Sequence, residues 1–224
     1  MKKPKKTGIF FLIAGMVLIF SALSLFAYNC FEDVRAGKEA QSLLGDVKAY
    51  LNAGKTDAAQ RFNESPDVQE TVLSPKMPVV EIEGYGYVGY LFIPDLKMEL
   101  PVMSEWDYER LKIAPCRQFG SSRTDDFVIA AHHYDSHFGP LFDVEIGAGV
   151  FFVDMDGIEN YYKVVKICTL KPTEVEAVQN SGHDLVLYTC TYSIRERIVV
   201  FCDRTEAFSL APIDDLRIEM EESE

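Results

Sequence analysis

The sequence predicts a mainly β body, a closed barrel or a sandwich, carried on one N-terminal transmembrane helix. Three observations predict it. An uncharged apolar run of twenty residues, 9–28, follows the basic stretch KKPKK. From residue 79 onward, short apolar or alternating runs recur between Gly, Pro, Asp and Asn, the pattern of strands joined by turns. Long helical patterns are few in that body, and no internal repeat is visible.

The first element is the anchor. A helix of about 20 apolar residues spans the roughly 30 Å hydrocarbon core of a bilayer. Lys2, Lys3, Lys5 and Lys6 hold its N-terminus on the cytoplasmic side. A cleaved secretory signal fits less well, because its apolar region is shorter, about 7–15 residues, and no A-x-A site follows. A lipoprotein site at Cys30 fits poorly too, since FAYNC lacks small apolar residues before the cysteine. Everything after Cys30 is therefore expected outside the cytoplasm. The whole chain has a net charge of −13, and without the four lysines of the tip the remainder carries −17. Nothing resembles a basic nucleic-acid footprint.

A spacer follows. Phe31, Val34, Ala40, Leu43, Leu44, Val47 and Leu51 mark one apolar stripe at helical spacing. Gly37, Gly45 and Gly54 weaken it, so a marginal or broken helix is expected over 31–51. The stripe either lifts the body off the membrane or packs on it. Residues 52–78 then turn polar and gain Pro66, Pro75 and Pro78, which is linker composition.

In the body, 86–94 and 97–103 read as two short strands. Residues 104–115, SEWDYERLKIAP, are the best helix candidate, with Ser104 as its N-cap. DDFVIAAH, 125–132, is an apolar strand that ends on a histidine. Residues 149–170 form a hairpin around DMDG, and 185–203 form the last hairpin.

That last hairpin carries the chemistry. Of the five cysteines, Cys168 and Cys202 lie inside apolar strands, where a thiol behaves as a small hydrophobe. Cys116 follows a proline in a loop, and Cys30 sits at the membrane edge. An extracellular chain can pair cysteines, and four in the body allow three pairings. Cys190 differs: it ends a strand beside a polar loop, and Arg197 opens the next strand after six loop residues. The two can face each other across an antiparallel ladder. A cysteine attacks as its thiolate, a neighbouring cation favours that form, and the same cation then holds an oxyanion. Arg195 on the loop and Arg204 at the strand's far end are the weaker candidates. A thiol nucleophile also needs a proton shuttle, and His132 stands at the end of a strand. His133 and His137 cluster beside it, which raises zinc as an alternative. No helix aligns these imidazoles and no C-x-x-C accompanies them, while His183 reads as a turn residue.

These residues resemble the sortases, membrane-anchored cysteine transpeptidases of Gram-positive bacteria. The family's T-L-x-T-C signature reads Val186-Leu187-Tyr188-Thr189-Cys190 here, its arginine reads Arg197 in ERIVV, and its G-H-N-like segment reads Ala131-His132-His133. SHFGPL and GYLFIPDLKMELPV also resemble sortase stretches, and the likeness runs from about residue 80 to 204. Val186, Ala131 and His133 depart from the usual residues, so His133 stands as runner-up to His132. The resemblance implies an eight-stranded closed barrel with short helices. It implies Cys190 as nucleophile, His132 as acid and base, Arg197 at the oxyanion, and Thr189 and Ala131 against the substrate. It implies surface proteins with LPxTG-type sorting signals as substrates, cleaved between Thr and Gly. It implies a peptidoglycan-precursor or pilin amine as acceptor, and recognition of the signal by residues 171–184. No metal or organic cofactor is required, and no acidic cluster is assigned to calcium. The spacer lacks the Asp-Pro-aromatic lid segment of pilin-polymerising sortases, SPD at 65–67 not being one, which favours an anchoring enzyme. The expected layout is a cytoplasmic tip (1–7), a transmembrane anchor (8–29), an extracellular spacer (30–78), a catalytic barrel (79–210) and an acidic tail (211–224). A papain-like peptidase and a non-catalytic disulfide-bearing domain are the rivals. The first uses a helix-borne cysteine, which the strand end at Cys190 disfavours.

Overall fold

The computed structural model describes residues 6–64, 74–191, 193 and 195–206. Lys2, Lys3 and Lys5, the spacer residues 65–73 and the acidic tail 211–224 lie outside the described residues.

Helix α1 (Lys6–Glu64) runs without a break. Its N-terminal part is exposed at nearly every position and is long and apolar enough to cross a membrane. The broken helix expected over 31–51 is corrected. Each interior glycine costs about 1 kcal/mol relative to Ala. Burying Leu43, Leu44, Val47 and Leu51, as this helix does, contributes roughly 1.5–3 kcal/mol per side chain, and burial wins. The stripe lies on Tyr87, Tyr90, Phe92, Phe151 and Val153 of the body, so this part of the spacer covers the barrel. Gly37 has a packing reason: a Cβ there would fall 2.7 Å from Ser136 Cβ.

The body is a barrel. Its strands are β1 (Val80–Ile82), β2 (Tyr85–Ile93), β3 (Met98–Met103), β4 (Cys116–Phe119), β5 (Phe127–Ala130), β6 (Gly149–Asp154), β7 (Glu159–Leu170), β8 (Leu185–Cys190) and β9 (Arg197–Arg204). Eight of them close a ring in the order β2-β3-β4-β5-β8-β9-β7-β6, with β6 returning to β2. The pairs β3–β4 and β5–β8 are parallel and the others antiparallel. Strand β1 pairs only with the first residues of β2. Closure leaves few open edges, which is how a small sheet avoids pairing with other chains. Where β2 meets β6, Gly89 has φ 150° and a Cβ would sit 2.0 Å from the Val153 carbonyl oxygen, so only glycine fits.

Strand alternation sorts the core. Leu91, Ile93, Ile129, Leu185, Leu187 and Val200 pack in the interior cluster. Tyr90 and Phe92 point to the outer face beneath α1. Strand β2 thus reads as a continuous apolar run because both its faces are covered. On another outer face Val128, Val186, Val199 and Phe201 form a further cluster.

Two expectations about the connections are corrected. Residues 104–115 do not form an α-helix; only a 3₁₀ turn, Arg110–Lys112, is present. Ser104 does not cap a helix but continues the sheet edge, donating its N–H to the Gly86 carbonyl at 2.8 Å. Its own carbonyl accepts from Arg117 Nε at 2.9 Å. The turn is nucleated at Asp107, whose carboxylate accepts the Arg110 N–H at 2.7 Å. Cys116 is not a loop residue either. It opens β4, fully buried, opposite Ala130.

Candidate active site

Strand β8 lies between β5 and β9. Its antiparallel register with β9 ends on the pair Cys190↔Arg197. The next pair outward carries a bond from the Thr191 N–H to the Glu196 carbonyl at 3.0 Å. Bonded and non-bonded pairs alternate along such a ladder, so Cys190 and Arg197 form a non-bonded pair. Side chains approach closest in such pairs, at a Cα separation of about 4.5 Å.

On the other side the register is parallel, Phe127↔Leu185 through Ala130↔Tyr188. The Ala131 N–H continues it, donating to the Tyr188 carbonyl at 3.2 Å. One residue further, His132 is level with Cys190. Alternation also settles the face. Val186 and Tyr188 pack outside the barrel, as do Val128 and Val199. Cys190 and Arg197 share their parity and so share that outer face, and position 132, two residues past the end of β5, continues the same parity. Neighbouring strands are about 4.8 Å apart, so the cysteine stands one strand from the histidine and one from the arginine.

Thr189 and Ala131 have the opposite parity and are buried. The Thr189 hydroxyl donates to the Ala131 carbonyl at 2.9 Å. What the structure shows these two doing is tying the end of β8 to the end of β5, which fixes the height of His132 against Cys190.

The histidines separate cleanly. The His132 ring is half-buried and lies 5.0 Å from that of Tyr134. Burial, with the Lys112 ammonium acting in the same direction, holds it below the ordinary imidazole range. The His133 ring packs edge-on against Phe142 at 5.1 Å. His137 is fully buried, and burial pushes it down to about 4. Among the described residues no well-formed hydrogen bond reaches its ring nitrogens, though the carbonyls of Ala36 and Ile113 lie near enough to act on it. His183 is remote, at the opposite end of β8, and pairs with Asp203 at 2.6 Å. Among the described residues, no three His, Cys, Asp or Glu side chains are grouped to hold a metal.

The cysteines separate too, and all five are free thiols. Cys190 and Cys202 close opposite ends of the β8–β9 hairpin, about 17 Å apart at 3.4 Å per residue, beyond disulfide reach. Cys116 lies two strands from β8. Burial pushes its thiol up to about 12 and pushes that of Cys202 up as well. Both are inert core groups, whereas Cys190 is partly exposed. Of the competing arginines, Arg195 is exposed on the loop. Arg204 is held by Asp125 at 2.6 Å and by Asn160 at 2.9 Å, at the far end of β9.

A cleft runs along this outer face from Arg197. Tyr188 and Val199 line its floor, Val175 and Val178 come from the 171–184 connection, and Trp106 and Tyr108 stand opposite. The connection carries a short helix, α2 (Glu176–Gln179). Tyr188 is fixed by its hydroxyl, which donates to Gln118 Oε1 at 2.5 Å. Sequence reasoning missed Trp106 and Tyr108 as cleft walls. Their signal, two exposed aromatics in a polar stretch, was absorbed into the helix reading of 104–115.

Fold and site define a class of protein: a closed mixed β-barrel borne on an N-terminal apolar helix, with a thiol ending one strand opposite an arginine. Residues 91–205, just over half of the chain, match the family model of the sortase domain. The chain belongs to the sortase family, and cysteine transpeptidation is the activity that family carries. Among solved structures it is similar to sortase C from Streptococcus pneumoniae, at 26% identity and a TM-score of 0.50, over 74% of this chain and 92% of that one. It shares the fold of sortase C1 from Streptococcus agalactiae, solved with MTSET, at 20% identity and a TM-score of 0.51, over 73% and 92% of the two chains. No curated protein matches the chain.

Proposed function

We propose that Cys190, Arg197 and His132 carry out transpeptidation on an LPxTG-type sorting signal. The observation that supports it most is that Cys190 and Arg197 pair at the ends of β8 and β9 while His132, two residues past the end of β5, continues the β5–β8 register to the height of Cys190. In this reading the Cys190 thiolate attacks the carbonyl carbon of the signal's threonine. The oxyanion that forms is stabilised by the Arg197 guanidinium. The tetrahedral intermediate collapses by breaking the Thr–Gly bond, and the His132 imidazolium gives its proton to the departing glycine amine. A thioester remains on Cys190. An incoming amine then attacks that carbonyl, His132 takes the proton it sheds, and the thiolate is released. The parallel register favours His132 over His133 for this role.

The cleft supports the substrate class. Its apolar walls at Val175, Val178, Val199 and Trp106 suit the leucine and proline side chains of such a signal, and Arg197 at its end suits the scissile carbonyl. Two acceptor amines fit equally: that of a peptidoglycan precursor, or a lysine of a pilin. Likeness to the pneumococcal sortase C, whose structure is described as informative on pilin substrate specificity, favours the second. The lack of an Asp-Pro-aromatic segment favours the first. The apolar helix would hold the enzyme in the membrane with the barrel outside, among surface proteins bearing sorting signals.

The test uses the full chain in detergent with LPxTG-type peptides and hydroxylamine. Intact-mass spectrometry is expected to find a peptide thioester and a hydroxamate product, both absent in Cys190→Ala. A reactive Cys190 with no adduct from any peptide in a sorting-signal panel would overturn the substrate class. Hydroxamate formed by Cys190→Ala would overturn the nucleophile.

A further inference from the structure

The loop that carries His132 is tied to helix α1, and the tie involves none of the groups placed in the proposed chemistry. Asp33 Oδ2 accepts the Asp135 N–H at 3.0 Å, and Asp33 Oδ1 accepts the Ser136 N–H at 3.1 Å. The Ser136 hydroxyl donates to Asp33 Oδ1 at 2.5 Å and lies 3.1 Å from the Asp33 carbonyl. One turn along the helix, Gly37 lets Ser136 approach to a distance that no side chain would allow. The loop is also braced within itself. The Phe138 N–H closes on the His132 carbonyl at 3.2 Å, and the Gly139 N–H on the Tyr134 carbonyl at 2.8 Å. Displacing Ser136 therefore displaces the backbone of His132. Asp33 is five residues past the apolar run, about 7.5 Å along the helix axis. The tie is thus made by the first turns of α1 beyond its membrane-competent part.

We propose that Asp33 is a positioning residue for the reaction: through Ser136 it sets the His132 loop against Cys190, and it makes the helix leaving the membrane part of the working active site. The proposal rests on the role given to His132 above. Hydrogen bonds to a carboxylate are stronger than neutral ones, and the one from the Ser136 hydroxyl is also short. An acid–base group displaced by about 1 Å can lose up to 100-fold in rate.

The experiment is steady-state transpeptidation by the full chain in detergent, using a sorting-signal peptide, with kcat expressed per Cys190 that iodoacetamide can titrate. Only molecules in which Cys190 is alkylated while the buried Cys116 and Cys202 stay unmodified are counted, because an unfolded chain exposes all three, so loss of fold does not register as loss of kcat. Asp33→Ala is expected to lower kcat roughly tenfold with KM within about twofold, a partial loss of the misplacement effect. Ser136→Ala keeps both backbone bonds to Asp33 and is expected to lower kcat only about threefold, between wild type and Asp33→Ala on the same scale. Asp33→Asn keeps one accepting oxygen and should recover part of the loss. Loosening the loop also hydrates His132, so the histidine-linked limb of the pH–rate profile should move up in Asp33→Ala. An unchanged kcat and pH profile in Asp33→Ala, with His132→Ala inactive, would overturn the positioning role alone. Full activity in His132→Ala would overturn the reading beneath it, and the proposal with it.

Discussion

Cys190 and Arg197 are the terminal pair of the β8–β9 ladder, facing each other where hydrogen bonding between the two strands skips a pair. The relationship is local. A hairpin whose loop is six residues long, pinned by the Thr191–Glu196 bond, holds a thiol and a guanidinium on one face without help from the rest of the fold. Arg197 spends one guanidinium N–H on the neighbouring Glu196 carbonyl at 3.1 Å, its side chain's one hydrogen bond among the described residues.

Arg197→Ala is expected to lower kcat/KM by about 10²–10³, the usual effect of removing one oxyanion donor. Arg197→Lys should recover little, because an ammonium cannot reproduce the planar fork of a guanidinium. Alkylation of Cys190 in both variants checks that the nucleophile is intact. Near-normal turnover in Arg197→Ala would show that the oxyanion is held elsewhere.

His132 titrates below the ordinary imidazole range, chiefly through burial and secondarily through Lys112. The imidazolium that the proposed mechanism needs is therefore a minor form at neutral pH. Lys112→Met removes the cation and should raise the His132 value, so the histidine-linked limb of the pH–rate profile moves upward. The shift is small, because the Lys112 side chain is 41% exposed and already paired with Glu109. A downward move of that limb would remove Lys112 from the electrostatics of the site.

Where sequence and structure agree, the controlling interactions are short in range. Short apolar or alternating runs over 86–103, 149–170 and 185–203 reveal strands because each pairs with its chain neighbour through a short connection. The Cys190–Arg197 pairing is legible for the same reason. What the sequence hides is set by distant partners. Residues 104–115 have helical spacing, but the Asp107 carboxylate takes the Arg110 N–H, which a helix starting at Ser104 would bond within itself. Strand β4 pairs over too few residues to leave a pattern. Three glycines foretell a break in α1, yet the barrel's apolar outer face keeps it whole. The Asp33–Ser136 tie spans 103 positions of sequence, and no local motif announces it.

A chain beginning at residue 79 would contain every strand and still lack the cover over Tyr90, Phe92, Phe151 and Val153. It is expected to lose on the order of 5 kcal/mol or more, from the lost burial of four aliphatic side chains, and to aggregate through the bared face. A chain beginning at residue 31 keeps the stripe and should unfold cooperatively near the full-length midpoint. Thermal unfolding and size-exclusion chromatography of the two distinguish them. Equal stability would show that α1 docks without supporting the barrel.

Acid should weaken the fold through His137. Burial holds this imidazole neutral, with a value of about 4 against the ordinary 6.5. Nearby His132 pushes the same way, and Asp33 with the carbonyls of Ala36 and Ile113 opposes. In the unfolded chain the group takes its proton near 6.5, so between about pH 6.5 and 4 the unfolded state binds more protons than the native one. The stability contributed by the neutral, buried ring is thus fully present above pH 6.5 and is lost as the pH falls to about 4, amounting to roughly 3 kcal/mol. Denaturant midpoints taken at pH 7, 5.5 and 4.5 read this slope. His137→Phe keeps an aromatic ring of similar bulk in contact with Tyr134, 5.3 Å away between centroids in the native pair, and removes the titration. It should flatten the slope over that window whatever it does to stability at pH 7. A slope unchanged in His137→Phe would place the acid sensitivity in His132, His133 or the carboxylates instead.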